Sequence, residues 1–146
     1  MATVQADAEA LPLRDEIADV VVAGEVFEHV PNLTGVVEEA TRVLRPEGVL
    51  IFDTINDTVW SRLSLVTIGE RIPGGPPPRI HDPSLFVRPT HLADLLGRYG
   101  FHLRVRGLRP SIGDYVAFLL GRRETVRMLP TRSLASLYQG TGTRRS

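Results

Sequence analysis

Apolar and polar positions along this chain fall into blocks of two different periods. Val20, Val21, Val22 and Ala23 form an unbroken, mostly β-branched run, the pattern of a strand covered on both faces. Behind Asn32, a suitable helix cap, Leu33, Val36, Val37, Ala40 and Leu44 recur at helical spacing until Pro46 and Gly48. Val49-Leu50-Ile51-Phe52 predicts a second buried strand ending at Asp53, and Val59 to Ile72 predicts a helix broken by Gly74-Gly75-Pro76-Pro77-Pro78. Helix signals resume with Pro89 in a first turn, continue through Leu92, Leu95, Leu96 and Tyr99 on one stripe, and close at Gly100. Phe101, Leu103 and Val105 then alternate with His102, Arg104 and Arg106, the period of a half-exposed strand. Tyr115 to Leu120 reads as the last strand. The Arg- and Thr-rich residues from Gly121 onward read as a solvated tail with a short helix near Leu134 to Tyr138.

The order strand, helix, strand, insert, helix, strand, strand predicts an α/β fold with a mostly parallel sheet. The last two strands, with no helix between them, are expected to pair antiparallel at one edge. A length of 146 residues suits one domain. Its expected limits are 1–121, with an insert or lid at about 57–85, followed by the tail 122–146.

Chemistry gathers just after the first strand, at Glu25-Val26-Phe27-Glu28-His29. Open α/β sheets bind ligands beyond the carboxyl ends of their strands. In one helical turn Glu25, Glu28 and His29 would share a face, able to converge on one cation or one substrate proton. A surface cluster with a mutual hydrogen bond is the simpler alternative. Asp53 and Asn56, at the next strand end, either line an acceptor site or cap a helix. His81 follows the Pro-rich loop, as a base or a loop-stabilising donor. His91 and His102 read as structural, and Glu9 as solvated.

Composition narrows the chemistry. Formal net charge is zero, so no global field recruits nucleic acid or an anionic membrane. All 17 basic residues are Arg, which excludes a catalytic Lys, a Schiff base and a phosphate-loop Lys. With no cysteine there is no disulfide, zinc-thiolate site or thiol nucleophile. No signal-peptide pattern and no apolar run of the ~18 residues a spanning helix needs are present, so the expected location is cytoplasmic. The Arg-rich tail lacks the aromatic interleaving and motifs of a nucleic-acid binder.

Four segments together resemble the C-terminal part of a class I S-adenosylmethionine (SAM)-dependent methyltransferase. They are Asp7-Ala8-Glu9-Ala10-Leu11-Pro12, Asp19 to Glu25, Glu28-His29-Val30 and Val43-Leu44-Arg45-Pro46-Glu47-Gly48-Val49-Leu50. The combination of Glu25-x-x-Glu28-His29, Thr54-Ile55-Asn56 and His81-Asp82 before Phe86-Val87-Arg88-Pro89 is similar to the ubiquinone-biosynthesis O-methyltransferases. The resemblance implies a Rossmann-like sheet, SAM as cofactor and a phenolic or catechol acceptor such as a quinone precursor. By position it implies that Asp7 and Ala8 contact the adenine and Gly24 lines the cofactor. It further implies that Glu25, Glu28 and His29 ligate a divalent metal, most simply Mg2+, whose hardness suits carboxylates. His29 or His81 would serve as a general base if the metal does not activate the phenol.

The first strands of that fold, their Gly-rich turn and the ribose-binding acid have no counterpart here, so the expected sheet is partial, as from a truncated gene or a misplaced start. The strand at Val20 to Ala23 is then expected to leave an apolar edge open to self-association. The resemblance also brings a greasy acceptor, for which Trp60, Leu63, Leu65, Val66 and Ile68 would form a lid or a peripheral membrane contact. Two other functions stay open: a catalytically inactive fragment, and a metal-independent C- or N-methyltransferase of another metabolite.

Overall fold

The structure, a computed structural model, describes residues 3–72, 77 and 79–144. The chain breaker predicted at Gly74 to Pro78 falls, apart from Pro77, outside the described residues. A strand β1 (Ala18–Ala23) leads through a 3-10 turn at Phe27–His29 to helix α1 (Leu33–Val43) and strand β2 (Leu44–Ile55). Helix α2 (Val59–Ser61) continues as a π-helical stretch, Arg62–Ile68, and a 3-10 turn, Gly69–Arg71. Helix α3 (Pro89–Arg98), strand β3 (Phe101–Pro110), helix α4 (Ile112–Leu119) and strands β4 (Met128–Thr131) and β5 (Leu137–Arg144) complete the order.

The five strands form one open sheet in the order β1-β2-β5-β3-β4. β1 pairs parallel with β2; β5 runs antiparallel to both β2 and β3, and β4 antiparallel to β3. β1, β2 and β3 therefore point one way, and their carboxyl ends share one rim of the sheet. The α/β expectation holds, but the sheet is mixed rather than mostly parallel, because a reversed strand separates β2 from β3.

The element boundaries follow local chemistry. Asn32 accepts a hydrogen bond from the Gly35 N–H at 3.1 Å and caps α1, as predicted. α1 buries Val36, Val37, Ala40 and Val43, and α3, opened by Pro89, buries Leu92, Leu95 and Leu96. These stripes pack with Leu50, Phe52, Phe101 and Tyr138 into one core on one face of the sheet. On the other face Val20 is 50% exposed, Val22 70% and Ile51 42%. β1 is thus half-covered, not covered on both faces as its unbroken apolar run suggested, because the core helices α1 and α3 share a side.

The C-terminal third departs most from expectation. Tyr115 to Leu120, expected as a strand, lies in α4 and its C-cap, where Ser111 accepts from the Asp114 N–H and starts a helix. Residues 122–146, expected as a tail, contain β4 and β5, and β5 sits inside the sheet. Leu137 and Tyr138 open β5 rather than closing a short helix. The antiparallel edge pair exists, but it joins β3 to β4. No helix among the described residues is long and apolar enough to cross a membrane.

Candidate active site

The carboxyl ends of β1 and β2 bring Gly24, Glu25 and Asp53 together. A Cβ added at Gly24 would sit 3.3 Å from Asp53 Oδ1, so the bare backbone permits this approach. Glu25 takes φ 51°, a left-handed conformation uncommon outside glycine, and turns the chain sharply off β1. Its carboxyl interacts with Asp53 and Glu28. Burial raises the Glu25 pKa above the usual carboxylate range. Burial and the neighbouring Glu25 together push Asp53 up to about 6. Two facing carboxyls of this kind share a proton more readily than they both ionise.

Beneath them Glu28 is fully buried. Its Oε2 accepts a 2.7 Å hydrogen bond from the Thr54 hydroxyl, and its Oε1 has no partner among the described residues. The aromatic floor is Phe27, 5.5 Å from the Phe52 ring, with Tyr138 edge-on to Phe52 at 6.0 Å. His29 remains exposed, and its ring stacks 6.2 Å from that of His81 at 20°. The structure thus joins two loops that lie far apart in sequence. Val87 N–H donates to the Ile55 carbonyl at 2.9 Å and anchors the segment after His81 to the end of β2.

The placement does not fit the metal set expected of Glu25, Glu28 and His29. Glu28 turns inward to Thr54 while His29 faces solvent, and no three His, Cys, Asp or Glu side chains among the described residues converge as ligands. Glu25, Glu28 and His29 share a face only in a regular α-turn, whereas the helical turn at Phe27–His29 is 3-10, with Glu25 outside it in a left-handed conformation.

Asp7 and Ala8 lie in a tight turn in which Asp7 Oδ1 accepts the Glu9 N–H at 2.9 Å and the Asp7 carbonyl the Ala10 N–H at 3.1 Å. Asp7 is exposed and Ala8 packs against the core, a placement open to a ligand. Glu9, expected to be merely solvated, accepts a 2.6 Å hydrogen bond from Asn32 and ties this turn to the start of α1. Asn56 is used structurally, donating to the Leu134 carbonyl at 2.6 Å. His91, in the first turn of α3, and His102, at the start of β3, are exposed. Sequence reasoning missed Thr54 as the partner of Glu28, though its strand alternation with Phe52 placed it on the buried face. It also missed Glu70, whose Oε1 lies 3.2 Å from His81 Nδ1, because nothing in the spacing of the two residues announces the contact.

Residues 1–52 match the methyltransferase domain family. The chain is 34% identical over 82 residues to the ubiquinone biosynthesis O-methyltransferase of Rickettsia prowazekii, covering 56% of this chain and 32% of that one. It is 35% identical over 97 residues to the enzyme of the same name from Burkholderia vietnamiensis, covering 66% and 42%. The chain therefore spans less than half the length of these curated relatives. A solved SAM-dependent methyltransferase from Thermotoga maritima superposes with a TM-score of 0.64 at 18% identity, over 97% of this chain and 63% of that one. One from Archaeoglobus fulgidus gives 0.61 at 16%, over 97% and 66%. The fold is that of the SAM-dependent methyltransferases, and the sequence resemblance is to the same superfamily.

Proposed function

We propose that this chain, a SAM-dependent methyltransferase domain by fold and sequence match, provides the acceptor side of an O-methyltransferase for a phenol or catechol, such as a quinone precursor. The observation that carries the reading is the gathering of Glu25, Asp53, His29 and His81 around the carboxyl ends of β1 and β2, where α/β sheets hold their ligands. The relatives named as ubiquinone biosynthesis O-methyltransferases support the acceptor class.

SAM, when bound, supplies an electrophilic methyl group on a sulfonium. Asp7, Ala8 and Gly24 are the residues proposed to line it, with the open backbone at Gly24 allowing close approach. A phenol with a pKa near ~10 is mostly protonated at neutral pH, so a base within reach raises the reactive fraction. His81, with His29 stacked beside it, is proposed as that base. The aromatic floor of Phe27 and Phe52 keeps the inner wall dry. Val59 at 84% exposure, Trp60 at 57% and Leu63 at 43% are proposed to meet a greasy acceptor or a bilayer surface.

The failure of Glu25, Glu28 and His29 to converge as ligands supports transfer without a metal, to oxygen or, in a second reading, to carbon or nitrogen of another metabolite. Calorimetric titration of the purified chain with S-adenosylhomocysteine, with and without Mg2+, tests the cofactor half. Micromolar binding independent of Mg2+ is expected, and no binding by folded protein overturns it. Methyl transfer to 3,4-dihydroxybenzoate then separates oxygen from carbon or nitrogen acceptors.

A further inference from the structure

Glu70 closes the helical segment after α2 and reaches back over the loop that carries His81. Its Oε2 accepts the Arg79 N–H at 2.7 Å, and its Oε1 accepts the His81 N–H at 3.2 Å. The same Oε1 lies 3.2 Å from His81 Nδ1. Both side chains are well covered, Glu70 at 8% exposure and His81 at 11%. Hydrogen bonds from Arg79 and His81 hold the Glu70 carboxyl below its usual range, so near neutral pH it is ionised and can only accept. A neutral His81 ring facing this carboxylate can donate to it only as the Nδ1–H tautomer, which leaves the lone pair on Nε2. The rest of the ring is bounded by His29, stacked at 6.2 Å, and by Phe86, edge-on at 6.4 Å, and Glu25 is the nearby carboxyl of the β1 end.

We propose that Glu70 is a positioning residue that fixes His81 as its Nδ1–H tautomer, leaving Nε2 to take the proton from the hydroxyl of the methyl acceptor. The inference rests on the O-methyl transfer reading above and adds to it the atom that receives the proton. The balance is complete. The acceptor O–H bond breaks toward Nε2, the oxygen forms a bond to the methyl carbon, and the C–S bond breaks with its electron pair going to sulfur. The neutral thioether and the methyl ether leave, and the imidazolium returns its proton to water. Glu70 stabilises that imidazolium without itself being protonated, the role a carboxylate plays behind a histidine base. A structural brace alone would also explain the two backbone hydrogen bonds, but not the alignment of the ring nitrogen with the same oxygen.

Nitrogen-15 spectra of the whole chain decide the positioning, since only four histidines need assignment and His81→Asn identifies the signal in question. At pH 8 the unmodified protein is expected to show His81 with a protonated Nδ1 and a bare Nε2. An Nε2–H tautomer overturns the proposal without any variant having to fold. Glu70→Ala is expected to release the ring to a tautomer mixture, and an unchanged spectrum overturns the role of Glu70. With SAM and 3,4-dihydroxybenzoate, Glu70→Gln is expected to lower kcat roughly tenfold or more, with KM and S-adenosylhomocysteine affinity nearly unchanged. Equal kcat overturns the proton-transfer role. If the unmodified chain binds no S-adenosylhomocysteine and transfers no methyl group, the functional reading and the proton-transfer role fall together. The tautomer still decides whether Glu70 positions His81.

Discussion

The Tyr138 hydroxyl donates a 2.9 Å hydrogen bond to the carbonyl of Val87, and both residues are buried. This contact ties the central reversed strand β5 to the segment that runs from His81 into α3. Burial, with the Glu28 carboxylate nearby, pushes the Tyr138 pKa up, so the phenol stays a donor throughout the working range. The site loop is thus held from below by the middle of the sheet.

Tyr138→Phe keeps the ring against Phe52 but strips the Val87 carbonyl of its donor. Leaving a buried acceptor unpaired costs about 1–3 kcal/mol, which lowers the urea midpoint with little change in slope. An unchanged midpoint would show that the Val87 carbonyl finds another donor.

Asp53 makes stability depend on pH in a direction opposite to most carboxylates. Its folded value of about 6 lies above the ordinary 3.8, so the folded state holds the proton more tightly than the unfolded chain. The contribution is complete below pH 4 and is lost as pH rises through 6. The carboxyl is partly open to water, which screens the interaction, so about 1 kcal/mol is expected. Asp53→Asn removes this titration. The stability difference between the variant and the unmodified protein, measured by urea unfolding at pH 4 and pH 7, should therefore shift toward the variant at the higher pH. A pH-independent difference would place the shared proton elsewhere.

The sequence announced β1, α1, β2, α3 and β3 because each pairs a clear hydrophobic period with a cap or breaker, such as Asn32 or Pro89. It concealed β5 for a physical reason. The buried positions of that strand are Tyr138, Gly140 and Gly142, and glycine carries no hydrophobic signal even where it is packed tightest. It misdirected α4 because the run Tyr115 to Leu120 is apolar on every side, so period could not separate strand from helix and only the Ser111 cap could. At the site, the strand-end position of Glu25, Glu28 and Asp53 was legible from the chain. Which way Glu28 points was not, since that depends on the Thr54 hydroxyl across the sheet.

Gly140 tests the packing argument directly. A Cβ there would lie 2.6 Å from Phe52 Cζ and 2.7 Å from the Arg104 carbonyl. The backbone oxygen cannot rotate away, and Phe52 is locked in the core. Gly140→Ala is expected to cost about 1–3 kcal/mol or more through overpacking. Thermal melting read by circular dichroism checks it, and a melting temperature equal to that of the unmodified chain would mean β2 and β5 can separate freely.

The outer edge of β1 is expected to set the behaviour of the chain in solution. Among the described residues β1 ends the sheet, pairing with β2 on one side only, and Val20 and Val22 stand exposed on the uncovered face beside Ile51. Unpaired backbone N–H and C=O groups next to an apolar surface form a template for a second strand. Self-association through this edge is therefore expected, visible as a concentration-dependent mass in sedimentation equilibrium. Val22→Lys places a charge where a partner sheet would have to lie, leaves the covered core untouched, and should return the mass to that of a monomer. The same substitution distinguishes this edge from α4, whose Ile112, Val116 and Leu119, with Leu120 at the C-cap, are also exposed. Association that survives Val22→Lys but falls with Val116→Lys would move the interface to the helix. A monodisperse, cooperatively melting monomer across the accessible concentrations would show that the edge is protected by its own short length and twist.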